Sequence, residues 1–543
     1  MVMDYSRAAL HGDAAGRMSV AIAPRRGGPK SRVRPPDAPP PRLSPAVLRR
    51  LPAGVRFPHF TPQALRPGIL HLGCGAFHRG HQALFTHQAI ESEVVPSTRF
   101  DSPRLPPWGI VATSLRTPDT VRALQQQAGL YTVLERGPHD IDVQVVGSLR
   151  QVVYVPEQRA AVDAWFAHPG IRIVTLTVSA AGYCVDPTTH RLDPTHPDIR
   201  HDVRSAAPRS AVGLLVRGLA QRRRSSVPPP VVMSCDNVAA NGRVLRQACI
   251  DFAALKDDML SRWIASNVRF PSTVVDRIVP AASEQDRADA FRELGGIVDA
   301  VPVCAEPFRQ WVIERFDGPR PRWEAAGAEF VADVEPWEAS KLRLLNGGHL
   351  ALAYPGLLAG FSTVADAIAD PAMLGFVRRF LLDEQRPTLP RSDHDTRAYA
   401  RQLIERWRNP SIADALLRVG RDGSAKLPAR LLASWRDNLA AGRPAPRTAL
   451  VIAAWMRCAA GRDDAGRELA LQDPMADTLR SLGTAAASDP ERLVDAFLAI
   501  VEVFGDDLPR EPLVRASLVQ AVAALQRHGA HAAIAACAAD ATA

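Results

Sequence analysis

Lysine is scarce in this chain: of 66 Lys+Arg residues, only Lys30, Lys256, Lys341 and Lys426 are lysines. Arginine supplies almost all of the plain positive charge. An arginine stays protonated at any working pH, whereas a lysine amine can be tuned by burial and neighbours to release its proton near neutrality. No apolar run approaches the ~18 residues of a spanning helix, which excludes a membrane protein of that kind. The seven cysteines (Cys74, Cys184, Cys235, Cys249, Cys304, Cys458, Cys537) include no CxxC pair. Odd in number and widely spread, they offer neither a disulfide frame nor a zinc site, so the expectation is a reducing cytoplasm and no metal. The first residues also lack the ~7–15-residue apolar core of a secretory signal.

What is present is a chain of 543 residues, 46% hydrophobic and 23% charged, long enough for two or more domains. Its net charge of +9 is unevenly placed. Residues 1–60 hold eleven Lys/Arg against Asp4, Asp13 and Asp37, so the remainder is close to neutral. The basic excess sits in a Pro/Arg/Gly-rich stretch (APRRGGPKSRVRPPDAPPPR) that has too little apolar surface to fold. Residues 1–57 are therefore read as a disordered extension rather than a nucleic-acid arm. The expected partner is a small molecule, with no nucleic acid and no membrane, for a monomer or weak homo-oligomer.

Residues 58–334 read as an α/β domain and 335–543 as an all-α domain. Ile69–Leu72 is a strand running into Gly73-Cys74-Gly75-Ala76-Phe77-His78-Arg79-Gly80 and then a helix through Ile90. Strand, glycine turn and helix N-terminus together can present bare N–H groups to a pyrophosphate. His78 takes the place of the third glycine, so a tight structural turn is an equal reading. The next strand, Trp108–Thr113, ends in Ser114-Leu115-Arg116-Thr117, without the acid that commonly accepts the ribose hydroxyls of NAD. NAD and NADP both stay open on that ground. Apolar runs at Ile171–Val178 and Val231–Cys235 suit buried parallel strands, and the second delivers Asp236-Asn237 to a strand's carboxyl end. Asp276-Arg277 reads as a local ion pair. From Glu335 onward only helices are expected, with the cations Arg418 and Lys426 flanking an Asp-Gly turn.

The stretch Glu335–Tyr354 (EPWEASKLRLLNGGHLALAY) carries the densest chemistry. Wound at about 100° per residue from Lys341, it places Glu338 at about 60°, His349 at about 80° and Asn346 at about 140°. One helical face thus shows an acid, an amine, an imidazole and an amide. A solvated polar face would show the same pattern, but a lysine kept where arginine is the rule points to proton chemistry.

Taken in order, HLGCGAFHRGHQAL, GLYTV, TLTV with GYC, VMSCDN with NG, VVDRIVPAA, CAEPFRQWVIE, KLRLLNGGH, RDGSAKLP and FGDDLP resemble the mannitol dehydrogenase family of polyol-specific long-chain dehydrogenases, from about Pro58 to beyond Pro509. CAEPFRQWVIE and HLGCGAFHR resemble its uronate-reducing branch. The resemblance implies a Rossmann-like domain, a helical domain and metal-independent hydride transfer between D-fructuronate and D-mannonate. Mannitol or arabinitol is the alternative substrate, and a silent Rossmann binding protein the rival from another class. It further implies Lys341 as general acid/base, Asn237 and Asn346 as amides on the substrate oxygen, His349 as an orienting residue and Glu338 as the link to bulk water. Ile69 and Gly73 to Gly80 would meet NAD, with NADP not excluded; Asp276, Arg418 and Lys426 would face substrate. Ser179-Ala180-Ala181-Gly182-Tyr183 departs from the charged pattern common in relatives, which leaves the exact substrate open.

Overall fold

A parallel strand covered on both faces must be apolar at nearly every position. The strands β1 (Pro67–Leu72), β2 (Gly109–Ser114), β3 (Leu149–Tyr154), β4 (Ile173–Leu176) and β5 (Val231–Ser234) meet that demand. In the computed structural model they form one sheet in the order β3-β2-β1-β4-β5, with every pair parallel. Leu70, Leu72, Val111, Val174 and Val232 enter one core, and Ile69, Ile110, Ala112, Ile173 and Met233 the core on the opposite face. Each such side chain contributes roughly 1.5–3 kcal/mol by leaving water. The order reverses between β1 and β4, and at that switch point the strand ends open into a crevice.

The structure describes residues 39–94, 106–186, 189–412, 414–486 and 488–539, and every element discussed belongs to one unit that begins at Pro41. Two three-stranded sheets flank the parallel one: Tyr131–Arg136 with Ile141–Val146 and Val303–Ala305, and Gln310–Glu314 between Thr273–Asp276 and Glu329–Val331. Residues 131–154 were not read as strands from sequence. Their alternation of apolar and polar residues is that of half-covered strands, and charges such as Arg136 and Asp142 break up the apolar run.

Part of the stretch read as an extension over 1–57 packs on the domain. A 3-10 turn at Pro45–Arg50 seats Val47 and Leu48, and together with Leu43 and Val55 they are buried against Leu130, Val143 and Leu294. These four apolar residues gain a ready-made surface only in the folded chain, which composition alone cannot show. The Arg/Pro-rich stretch 1–38 lies outside the described residues.

From Glu335 the described chain is helical apart from isolated bridges. Its core gathers Leu350, Tyr354, Phe376, Trp455, Phe497 and Val522. The last helix, Pro512–Ala539, changes direction at Gly529, whose φ of 77° suits a residue without a Cβ. No helix among the described residues is long and apolar enough to cross a membrane.

Candidate active site

The helix that carries Lys341 is not a uniform α-helix. Glu335–Ser340 is α-helical, Lys341–Asn346 is a π-helical stretch, and Gly347–Leu358 resumes the α-helix. A π turn closes i→i+5 instead of i→i+4, so residues five apart come nearer to one face. Lys341 and Asn346 are five apart. The wider turn moves Asn346 toward the lysine face, where an α-helical wheel leaves it about 140° away. Gly347 and Gly348 let neighbours approach. A Cβ at 347 would lie 3.0 Å from the Arg430 carbonyl oxygen, and one at 348 would lie 2.5 Å from the Trp407 ring.

Lys341, Asn346 and His349 line a cleft of about 690 Å³ together with Asn237, which follows β5, and Gly75 and Phe77, which follow β1. The Lys341 amine donates to Asn237 Oδ1 at 2.7 Å and to the Val275 carbonyl at 2.6 Å. Burial lowers the Lys341 pKa below its usual 10.5, against the upward pull of Asp276, with Arg406 adding to the fall. His349 is pushed down to about 3 by burial and by Arg406 and Arg430, so its ring is neutral; its Nε2 is buried without a partner among the described residues. Glu338 accepts from the Ala240 N–H at 2.9 Å, and burial raises its carboxyl above the ordinary value.

Asp276 and Arg277 do not form the local pair expected of them. Arg406 is fully enclosed and grips Asp276 with two nitrogens, at 2.7 and 3.0 Å, and Glu306 at 2.7 and 2.9 Å. Tyr399 donates to the same aspartate at 3.0 Å. Arg277 instead pairs with Glu135 at 2.5 Å and caps the Glu306 carbonyl. Burial pushes the Asp276 carboxyl up, yet Arg406, Lys341 and Tyr399 together hold it below its ordinary range. Asp276 borders the cleft, but its oxygens are already taken. The residues that take them, Arg406 and Tyr399, stand more than 120 positions away and leave no local signal.

The glycine loop splits into two sets. Gly73, Cys74, Gly75, Ala76 and Phe77 border the cleft or the hollow of about 320 Å³ that continues from it past Ser114, Arg116, Thr117 and Asp198. Gly73 has φ of 103°, and a Cβ there would lie 2.1 Å from the Thr177 carbonyl oxygen. Ile69, His78, Arg79 and Gly80 face the core instead. Ile69 packs within the sheet, and Gly80 lies against Val279 and Val303. His78 stacks at 3.3 Å on His71, and Arg79 reaches the Val301 carbonyl. The third-glycine position is thus filled by a buried ring supporting the loop from behind, since Ala76–Gly80 is a helical turn whose inner side faces the sheet.

Asp236 holds the departing segment after β4: its carboxylate accepts from the Val178 and Ser179 N–H groups and from Tyr183. Ala180 borders the cleft and Ala181 the adjoining hollow. Across the cleft, Arg418 pairs with Asp414 at 2.5 Å, and Lys426 donates to the Arg421 carbonyl. Burial and the nearby Arg430 push Lys426 down to about 8. Arg430, also on the wall, was missed in the sequence, although it follows Lys426 by four residues. The grouping Cys184, His196 and Asp198, whose ligand atoms fall within 4.8 Å, is apart from the lining of the Lys341 cleft.

With this geometry in hand, comparison with known proteins is specific. The family model of the mannitol dehydrogenase Rossmann domain matches residues 67–325, and that of the mannitol dehydrogenase C-terminal domain residues 333–526. An uncharacterized oxidoreductase of Escherichia coli (strain K12) is 40% identical over 488 residues, 89% of this chain and 97% of the relative. D-mannonate oxidoreductase of the same organism is 39% identical over 487 residues, 88% of this chain and 97% of the relative. Among solved structures, the Pseudomonas fluorescens mannitol 2-dehydrogenase ternary complex with NAD and D-mannitol superposes with a TM-score of 0.77 at 36% identity, covering 91% of this chain and 98% of that one.

Proposed function

Because the chain belongs to the mannitol dehydrogenase family of oxidoreductases, we propose that it interconverts D-fructuronate and D-mannonate with NAD, using Lys341 as general acid and base. The observation that carries the proton chemistry is the pair of acceptors around the lysine amine. A neutral amine has two N–H donors and one lone pair. With Asn237 Oδ1 and the Val275 carbonyl taking both donors, the lone pair is left for a substrate hydroxyl in the cleft.

The residues present fit a dinucleotide: beside Gly75 a Cβ would meet no atom nearer than 3.9 Å, so the loop backbone is open there, and the hollow it borders continues from the cleft. Bound NAD supplies the hydride acceptor, or NADH the donor. In oxidation, neutral Lys341 removes the hydroxyl proton; in reduction, its protonated form returns one to the growing alkoxide. The side-chain amides of Asn237 and Asn346 donate to that oxygen and stabilise its charge. Neutral His349 offers Nε2 to a neighbouring hydroxyl. Glu338, with its raised pKa, passes the proton between Lys341 and solvent.

The sugar acid is preferred as substrate because Arg418, Arg421, Lys426 and Arg430 line the cleft together with Lys341 and because D-mannonate oxidoreductase is a relative of nearly full coverage. D-mannitol is the second reading, favoured by the resemblance to the mannitol 2-dehydrogenase complex. Initial rates of reduced-nicotinamide absorbance with D-mannonate and D-mannitol, each with NAD and NADP, decide between them. Faster turnover of D-mannonate with NAD is expected. Mannitol turnover without mannonate turnover would move the substrate and keep the mechanism.

The two loop glycines are expected to respond differently to alanine. Gly73→Ala forces a Cβ onto the Thr177 carbonyl at a positive φ and should destabilise the protein by more than ~1 kcal/mol. At Gly75 the φ is −82° and the nearest atom to a Cβ is 3.9 Å away, so Gly75→Ala should keep the thermal midpoint while weakening NAD about tenfold or more by blocking close backbone approach. Equal NAD affinity in wild type and Gly75→Ala would place the pyrophosphate elsewhere.

A further inference from the structure

Lys341 aside, the arginines and the lysine on the wall of its cleft each have a carboxylate partner, with a single exception among the described residues. Arg277 pairs with Glu135 and Arg418 with Asp414, while Arg421 and Lys426 share Asp422 at 3.5 and 3.9 Å. Arg430 lines the same wall, half-buried, and its guanidinium has no hydrogen bond or ion pair with any described residue. The acids on the wall are already engaged: Asp236 by two N–H groups and Tyr183, Asp276 by Arg406, Asp414 by Arg418.

Its position is fixed by the backbone. Arg430 lies in another π-helical stretch, Pro428–Leu432, four residues after Lys426. Its carbonyl oxygen sits where a Cβ at Gly347 would be only 3.0 Å away, so this stretch is pressed against the segment carrying Asn346 and His349. Its charge reaches all three neighbours, helping to depress Lys341, His349 and Lys426. A partly desolvated guanidinium without an acceptor is costly unless an anion completes it. The planar fork is matched best by a carboxylate, which it can bind with two parallel hydrogen bonds.

We propose that Arg430 is a specificity-determining residue of this cleft and that its guanidinium receives the carboxylate of the sugar-acid substrate. This rests on the reading of the cleft as a sugar-acid site. It also divides the labour among the cations: Arg418, paired with Asp414, and Lys426, which shares Asp422 with Arg421, hold hydroxyl groups, and Arg430 discriminates acid from polyol.

The test is equilibrium binding of D-mannonate and of D-mannitol to the NADH-loaded protein by calorimetry, in wild type, Arg430→Met and Arg430→Lys, with NADH affinity and thermal midpoint measured alongside. Wild type should bind mannonate at least about tenfold more tightly than mannitol, as one charge-assisted bidentate pair provides. Arg430→Met should abolish that preference, and Arg430→Lys should restore part of it, a lysine supplying the charge without the fork. A wild type with no preference, or a Met variant that keeps it, overturns the inference. So does a fall in NADH affinity as large as the fall for mannonate, because the arginine would then serve a cofactor phosphate. Turnover is read separately: mannonate bound through Arg430 but never oxidised would leave the inference standing and refute the proposed reaction.

Discussion

Lys341→Ala is expected to lower kcat/KM by about 10²–10⁴ in both directions, the range of a positioned general acid/base. The size follows from what stands around the amine. Both of its acceptors, Asn237 Oδ1 and the Val275 carbonyl, come from the α/β part of the chain, and the other lysine that lines the cleft among the described residues, Lys426, is engaged by the Arg421 carbonyl and Asp422. Without the amine, oxidation must release its proton to water inside a partly desolvated cleft, and reduction must leave an alkoxide unprotonated. The cofactor hollow and the amides are untouched, so NAD affinity should stay near wild type. A small primary amine added to the solution should recover part of the rate. A variant that keeps its turnover would remove Lys341 from the mechanism.

Arg406→Met is expected to destabilise the protein by about 3–5 kcal/mol, the cost of stripping the partner from buried charges. One guanidinium serves two enclosed carboxylates, Asp276 and Glu306, and it joins the helix Thr396–Trp407 to the ends of strands Thr273–Asp276 and Val303–Ala305. In the wild type Asp276 titrates below its ordinary value, so its contribution is present above that value and is lost as pH falls. In the variant both carboxylates favour their protonated forms, so the gap between the two proteins should narrow toward acid. The thermal midpoint at fixed scan rate is the readout. Adding Asp276→Asn and Glu306→Gln to Arg406→Met should recover most of the loss, since neutral amides no longer demand a cation. A fall unchanged by those additions would mean that packing, not charge, fixes the joint.

The main features of the fold were legible because they rest on local rules. Ile69–Leu72, Ile171–Val178 and Val231–Cys235 are apolar runs that only a doubly covered sheet explains, and the change to helices at Glu335 follows from periodicity and from Pro336 in the first turn. The reactive face was legible through the rarity of lysine. Its exact shape was not, because a wheel of uniform pitch cannot anticipate a π-helical stretch from Lys341 to Asn346. Residues that act through distant partners were also hidden. Asp276 and Arg277 look like mutual neighbours, yet each is claimed by a residue more than a hundred positions away. His78 was placed with the cofactor contacts only because the family resemblance carries the whole loop over, and its side chain turns under the loop to meet His71. Arg430 lacked the motif context that singled out Arg418 and Lys426, and only its missing acceptor draws attention to it.

The central claim is that one lysine, depressed below its usual pKa, carries the proton in both directions. The most direct measurement is the pH dependence of kcat/KM for oxidation and for reduction, in wild type and in Lys341→Ala. In the wild type, oxidation should rise with pH through a midpoint below 10.5, while reduction falls through the same ionisation. Lys426, with its pKa of about 8, weakens a sugar acid above that pH in both directions, so opposite slopes in the two directions isolate Lys341. Lys341→Ala should lose the opposite slopes and keep any common one. Profiles of the same sign in both directions, or a variant that reproduces the wild-type pair, would contradict the account.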